Sequence, residues 1–130
     1  MDEAEECKPV YEEIDVLSKS QIEACFERGV YSEVCRALIS SALYEEDYEW
    51  AFQKSVEFLH GPDERLRCTA LVAIAHLVRL HQRKLDIEGV EKELAWAKTQ
   101  VGLEGHISEV EDDLEIFVYR KDRRRRKRKG

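Results

Sequence analysis

Apolar residues recur at three- and four-residue intervals from about position 20 to position 118, and no segment alternates with a period of two. The pattern therefore predicts helices throughout and no sheet. Six helices separate at identifiable turns. Ser20 with Glu23 offers a capping box for a first helix carrying Ile22 and Phe26, which Gly29 ends. Ser32 is placed to cap a second, with Val34, Cys35, Leu38, Ile39, Ala42 and Leu43 as its stripe. Asp47 caps a third, carrying Tyr48, Phe52, Ser55 or Val56, and Leu59 and stopped by His60, Gly61 and Pro62. Asp63 and Glu64 open the fourth at its positive dipole end. Its run from Leu66 to Leu80 is apolar around most of the circumference, which implies burial on several sides. Asp86 opens the fifth, with Ile87, Val90, Leu94, Ala97 and Val101 on one face, and the sixth carries Ile107, Val110, Leu114 and Phe117.

Six helices pair naturally as three hairpins. Aligning the helix openings at Leu66 and His106 gives a period of about 40 residues, within the range of two-helix repeats that stack into a solenoid. The expected organisation is an acidic N-terminal segment over residues 1–17, interrupted by Pro9, a helical domain over 18–118, and a flexible, disordered basic tail over 119–130.

Charge divides the chain in the same way. Residues 1–119 hold 27 of the 28 acidic and 12 of the 21 basic groups, a balance of −15, whereas residues 120–130 hold nine cations and one anion, a balance of +8. The formal net charge of −7 describes neither part, and the two parts attract opposite classes of partner. The longest nearly apolar stretch, residues 68–78, falls short of the roughly 20 residues needed to cross a bilayer. The acidic start lacks the basic and apolar segments of a secretory signal, so a cytoplasmic protein is expected.

The chain contains no phosphate-cradling glycine loop, nucleophile elbow or HExxH motif. Cys7, Cys25, Cys35 and Cys68 form no CxxC pair and read as small buried thiols. His60, His76, His81 and His106 are scattered and read as caps or surface residues, so no metal and no cofactor are expected. The carboxylates fall at helix ends and on polar faces, away from settings that would raise their pKa for acid catalysis; no enzymatic activity is expected.

Those carboxylates carry more meaning as a surface. Trp50 lies about 200° around its helix from both Tyr48 and Phe52, so it points away from the core if they face it. Tyr44, Tyr48 and Trp50 beside Glu45, Glu46, Asp47 and Glu49 make an aromatic patch in an acidic rim, a composition suited to a binding hot spot. Glu109, Asp112 and Asp113 form a second acidic cluster. Such carboxylates can stand where a nuclease would hold substrate phosphates and can steer a basic partner; the competing reading is that they keep a small domain soluble. Trp96 also lies off its stripe, but a solenoid buries two faces of many helices, and burial is expected for it.

The stretch from Gly61 to Leu80 resembles the second helix of a HEAT repeat: a Pro-Asp turn, a Leu-Arg pair, then small and aliphatic residues. With Ser41 to Phe52 before it, and Leu85 to Glu88 and Val110 to Phe117 after it, the chain is similar to small bacterial HEAT-like proteins. That resemblance implies a short HEAT-like α-solenoid. It also implies a non-enzymatic immunity protein of a polymorphic toxin system, such as contact-dependent growth inhibition, whose partner is a cognate toxin, here expected to be a basic nuclease domain. The alternative is a HEAT-like adaptor. In that reading Arg123, Arg124, Arg125, Arg126, Lys127 and Arg128 bind nucleic-acid phosphates, act as a localisation signal, or fold back on the acidic body.

Overall fold

A computed structural model describes residues 14–129. The acidic segment expected at residues 1–17, with Pro9 and Cys7, lies outside the described residues except for its last four. Six helices follow one another: α1 (Lys19–Arg28), α2 (Tyr31–Tyr44), α3 (Tyr48–Leu59), α4 (Glu64–His81), α5 (Ile87–Ala97) and α6 (Glu104–Leu114). A π-helical segment, Glu115–Tyr119, continues α6 into α7 (Arg120–Lys129), and no strand occurs among the described residues. The chain is a short, all-α, solenoid-like fold.

Three of the expected caps operate. Asp47 accepts from Trp50 N at 3.1 Å, Asp63 from Arg65 N at 2.9 Å and Asp86 from Gly89 N at 3.0 Å. Two others differ. The capping box of α1 is Ser18 with Gln21, because the Ser-x-x-Gln spacing occurs two residues before the Ser20 and Glu23 pair and the Ser20 hydroxyl bonds to that of Ser18. α2 starts at Val30 with no side-chain cap, so Ser32 already lies inside the helix. Gly29 ends α1 at φ 69°, a left-handed conformation that costs glycine little.

α4 is the centre of the molecule, packed against α2, α3 and α6. Ala70, Leu71, Ala73, Ile74, Ala75, His76, Leu77 and Val78 are all buried, as an apolar circumference requires. Each fully buried Leu or Ile there contributes about 1.5–3 kcal/mol of transfer free energy. α2, α4 and α6 stack side by side. Cys35 Sγ lies 3.5 Å from Thr69 Oγ1, and Arg79 Nη2 donates to Asp113 Oδ2 at 3.2 Å, both pairs 34 residues apart.

The buried positions Leu38, Ile74 and Val110, and likewise Ala42, Val78 and Leu114, recur every 36 residues. This is shorter than the 40 obtained by aligning helix openings, because α6 begins about one turn further along its axis than α4 does. Across the π segment Val118 is the buried residue, while Phe117 is half-buried.

The C-terminus departs most from expectation: the basic run is helix through Lys129 instead of a disordered tail. Extending an existing helix avoids the cost of nucleation, and Arg and Lys are good helix formers. The run is also moored to the body: Arg83 binds Asp122, and Lys121 Nζ donates to Gln82 Oε1 at 2.7 Å.

Candidate partner-binding surface

The two acidic clusters, more than sixty residues apart in sequence, reach the same end of the fold on either side of the last turns of α4. Tyr48 stacks on His81 with ring centroids 4.5 Å apart and an interplanar angle of 25°. On the other side Asp113 pairs with Arg79. The mechanism is the parallel stacking of α2, α4 and α6, which places the C-terminal turns of all three at one edge.

Within the first cluster the carboxylates divide by role. Asp47 is both cap and ion-pair partner, with Lys19 Nζ at 2.7 Å. Those two contacts, the lysine first, hold its carboxyl below the usual range. Glu45 accepts from Asp47 N at 2.8 Å and closes the turn. Glu46 and Glu49 are exposed. In the second cluster Glu109 and Asp112 are exposed, while Asp113 is mostly covered beside Arg79. Asp47 is exposed as well but engaged by Lys19, so the other solvent-facing acidic groups of the two clusters are Glu46, Glu49, Glu109 and Asp112.

The aromatic residues do not behave as their spacing suggests. Tyr44 is exposed, but Tyr48 is half-buried against the core. Trp50, expected to project, is also half-buried: it packs on the core, with Lys19 Nζ 5.2 Å and Lys54 Nζ 5.8 Å from its ring centroid. An arc argument treats the rest of the helix as solvent, whereas α1 brings Lys19 across this one. Trp96 is half-buried as well, its ring 3.8 Å from that of His60, centroid to centroid.

The exposed apolar residues of this edge lie elsewhere. Tyr44, Leu80 and Ile116 are 45%, 52% and 44% exposed. They occupy equivalent positions, 36 residues apart, on α2, α4 and the continuation of α6, so they form a row across the stack. Leu80 had been counted in the buried run of α4, and Ile116 belongs to no stripe. The 36-residue spacing was the signal in the sequence, hidden by alignment on helix openings.

His76 is buried in α4, not at the surface as its scattered position implied; burial, then the Arg79 charge, pushes its pKa below the ordinary value against the opposing pull of Asp113. Cys25, Cys35 and Cys68 are half-buried where full burial was expected. No group of three or more His, Cys, Asp or Glu side chains among the described residues is placed to hold a metal ion. No helix among them is long and apolar enough to cross a membrane.

Of the basic residues, Arg123 is tied to Glu115, and Arg124, Arg125, Arg126, Lys127 and Arg128 are exposed on α7. They lie on the helix that continues α6, which is tied to the α4–α5 turn through Arg83 and Gln82.

No family model matches the chain, and no curated protein matches it. Among solved structures it is similar to a chain in the crystal structure of a CDI complex from Cupriavidus taiwanensis LMG 19424, with 27% sequence identity and a TM-score of 0.74. The match covers 85% of this chain and 96% of that one.

Proposed function

We propose that this chain is a non-enzymatic immunity protein that acts in the cytoplasm, binding a cognate toxin and blocking it through the acidic edge of the solenoid. The likeness to a chain of a CDI complex, over nearly the whole of that chain, carries the reading. The edge supports it with the composition that an interface for a basic domain needs. The row Tyr44, Leu80 and Ile116 offers apolar area, and Glu46, Glu49, Glu109 and Asp112 flank it with negative charge. A nuclease-type toxin fits this pattern best, because the surface that accepts nucleic-acid phosphates also accepts a ring of carboxylates.

The binding surface in this reading comprises Tyr44 to Trp50, Leu80 and Ile116 together with Glu109, Asp112 and Asp113. Within it Tyr48, Trp50 and Asp113 shape the edge from partly covered positions, Asp47 is exposed but engaged by Lys19, and the other exposed residues make first contact. Charge reversal tests the assignment. The quadruple variant E46K/E49K/E109K/D112K should slow association with the toxin encoded by the neighbouring reading frame by at least tenfold at low salt, with convergence toward wild type as salt rises. An association rate unchanged at low salt would remove the acidic edge from the interface.

A further inference from the structure

The basic helix is not absorbed by a toxin-binding role at the acidic edge, and its cations are not equivalent. Some form the seam with the body: Arg120 and Arg123 reach Glu115, and Asp122 holds Arg83. Lys121, itself bonded to Gln82, belongs with Arg124, Arg125 and Arg128 to a second arrangement. They recur at i, i+3, i+4 and i+7, share one face of α7, are all exposed, and together line a single hollow. A second cleft opens beside it where Lys121 and Arg125 face His81 and Lys84 of the α4–α5 turn. That turn is held by Gln82 at φ 52°, ψ −126°, an unusual conformation for a residue with a side chain, and the Gln82 amide oxygen fixes Lys121.

A strip of this kind is frustrated in isolation. Lys121 and Arg125, and Arg124 and Arg128, are like-charge pairs four residues apart, each mildly unfavourable. A row of anions laid along the strip converts that repulsion into attraction. The strip runs about 10.5 Å along the axis at 1.5 Å per residue, and a helix with its side chains is about 10–12 Å across, close to the width of about 12 Å of the B-DNA major groove. No aromatic residue is interleaved among the cations of α7, so it has no platform for unstacked bases. A narrow A-form major groove would not admit the helix.

We propose that the strip Lys121, Arg124, Arg125 and Arg128, with the α4–α5 turn beside it, is a binding site for the phosphate backbone of duplex DNA, independent of base sequence. The proposal stands apart from the toxin-binding reading in its residues: the strip shares no side chain with the acidic edge, although its cleft reaches His81, which stacks on Tyr48 at that edge, and it holds or fails by itself.

Fluorescence anisotropy of a labelled 20-base-pair DNA duplex, titrated with the full chain at several salt concentrations, tests it. Four phosphate contacts predict that log K falls against log salt with a slope of about −3.6, a loss of roughly a hundredfold between about 50 and 200 mM. K121Q/R124Q/R125Q/R128Q should weaken binding at least tenfold at the lower salt and flatten the slope. R120Q/R123Q/R126Q/K127Q removes the same number of charges from the opposite face and should weaken it far less. Equal loss in the two variants would overturn the assignment to this strip. Tighter binding to a single strand of the same length, or no binding of the duplex by wild type at low salt, would overturn the proposal altogether. Because the wild-type slope is read without any variant, the test survives a substitution that unwinds α7.

Discussion

Two leucines of α4, three residues apart, should respond to the same substitution in opposite ways. Leu77 is 0% exposed and Leu80 is 52% exposed. Leu77→Ala removes a side chain surrounded by the core and leaves a cavity, which costs about 3 kcal/mol of folding free energy. For a domain of this size that lowers Tm by about 10 °C. Leu80→Ala removes a side chain that water already half surrounds, so no closed cavity forms and folding loses about 1 kcal/mol or less. If the toxin covers the exposed half of Leu80, binding loses about 1 kcal/mol, close to a fivefold rise in Kd. Thermal unfolding by circular dichroism and titration calorimetry against the toxin separate the two effects. L77A should move Tm and spare Kd at temperatures where it is folded; L80A should do the reverse. Equal destabilisation by both would show that Leu80 is a core residue, and an unchanged Kd for L80A would refute its place in the interface.

Two titrations check the environments of buried polar groups. His76 is held neutral in the fold, so below about pH 6.5 the unfolded chain takes up the proton first, and stability, constant above that pH, falls as the pH drops. His76→Gln should flatten urea-unfolding free energy between pH 7 and 5 relative to wild type, leaving only the smaller contribution of His81, which is also pushed down. A slope identical to wild type would refute the assignment. The Tyr119 phenol, half-buried and donating to Glu91, is pushed up to about 12. Tyrosinate absorbance should therefore lack one group near pH 10 that appears only near 12. Y119F should remove that late step, and the stability it confers should be lost between pH 10 and 12 in wild type; a full complement of tyrosinate near pH 10 would contradict this.

Local signals in the sequence carried most of the fold. Asp47, Asp63 and Asp86 each combine a capping side chain with an apolar stripe beginning just after it, and all three open helices. Ser20 and Ser32 satisfied the same rule without operating, because Ser18 competes two residues earlier and Val30 starts a helix with no side-chain cap. The binding edge was only half legible. Acidic runs mark its charged rim, but whether an aromatic residue projects depends on what neighbouring helices lay over it. Lys54, one turn along the same helix, lies over Trp50, but Lys19 reaches it from α1, and no single-helix argument contains Lys19. Conversely Leu80 looked buried because its whole helix is apolar, and only the packing of α2, α4 and α6 leaves that turn open. The order of α7 likewise depends on distant partners, Arg83 and Gln82, reaching Asp122 and Lys121 across 39 residues.

Growth of bacteria expressing a candidate toxin domain, with and without this chain, tests toxin neutralisation most directly. Co-expression of wild type should restore growth, and the two proteins should co-purify as a stoichiometric complex. Growth that stays arrested while the chain accumulates in folded form would contradict the account.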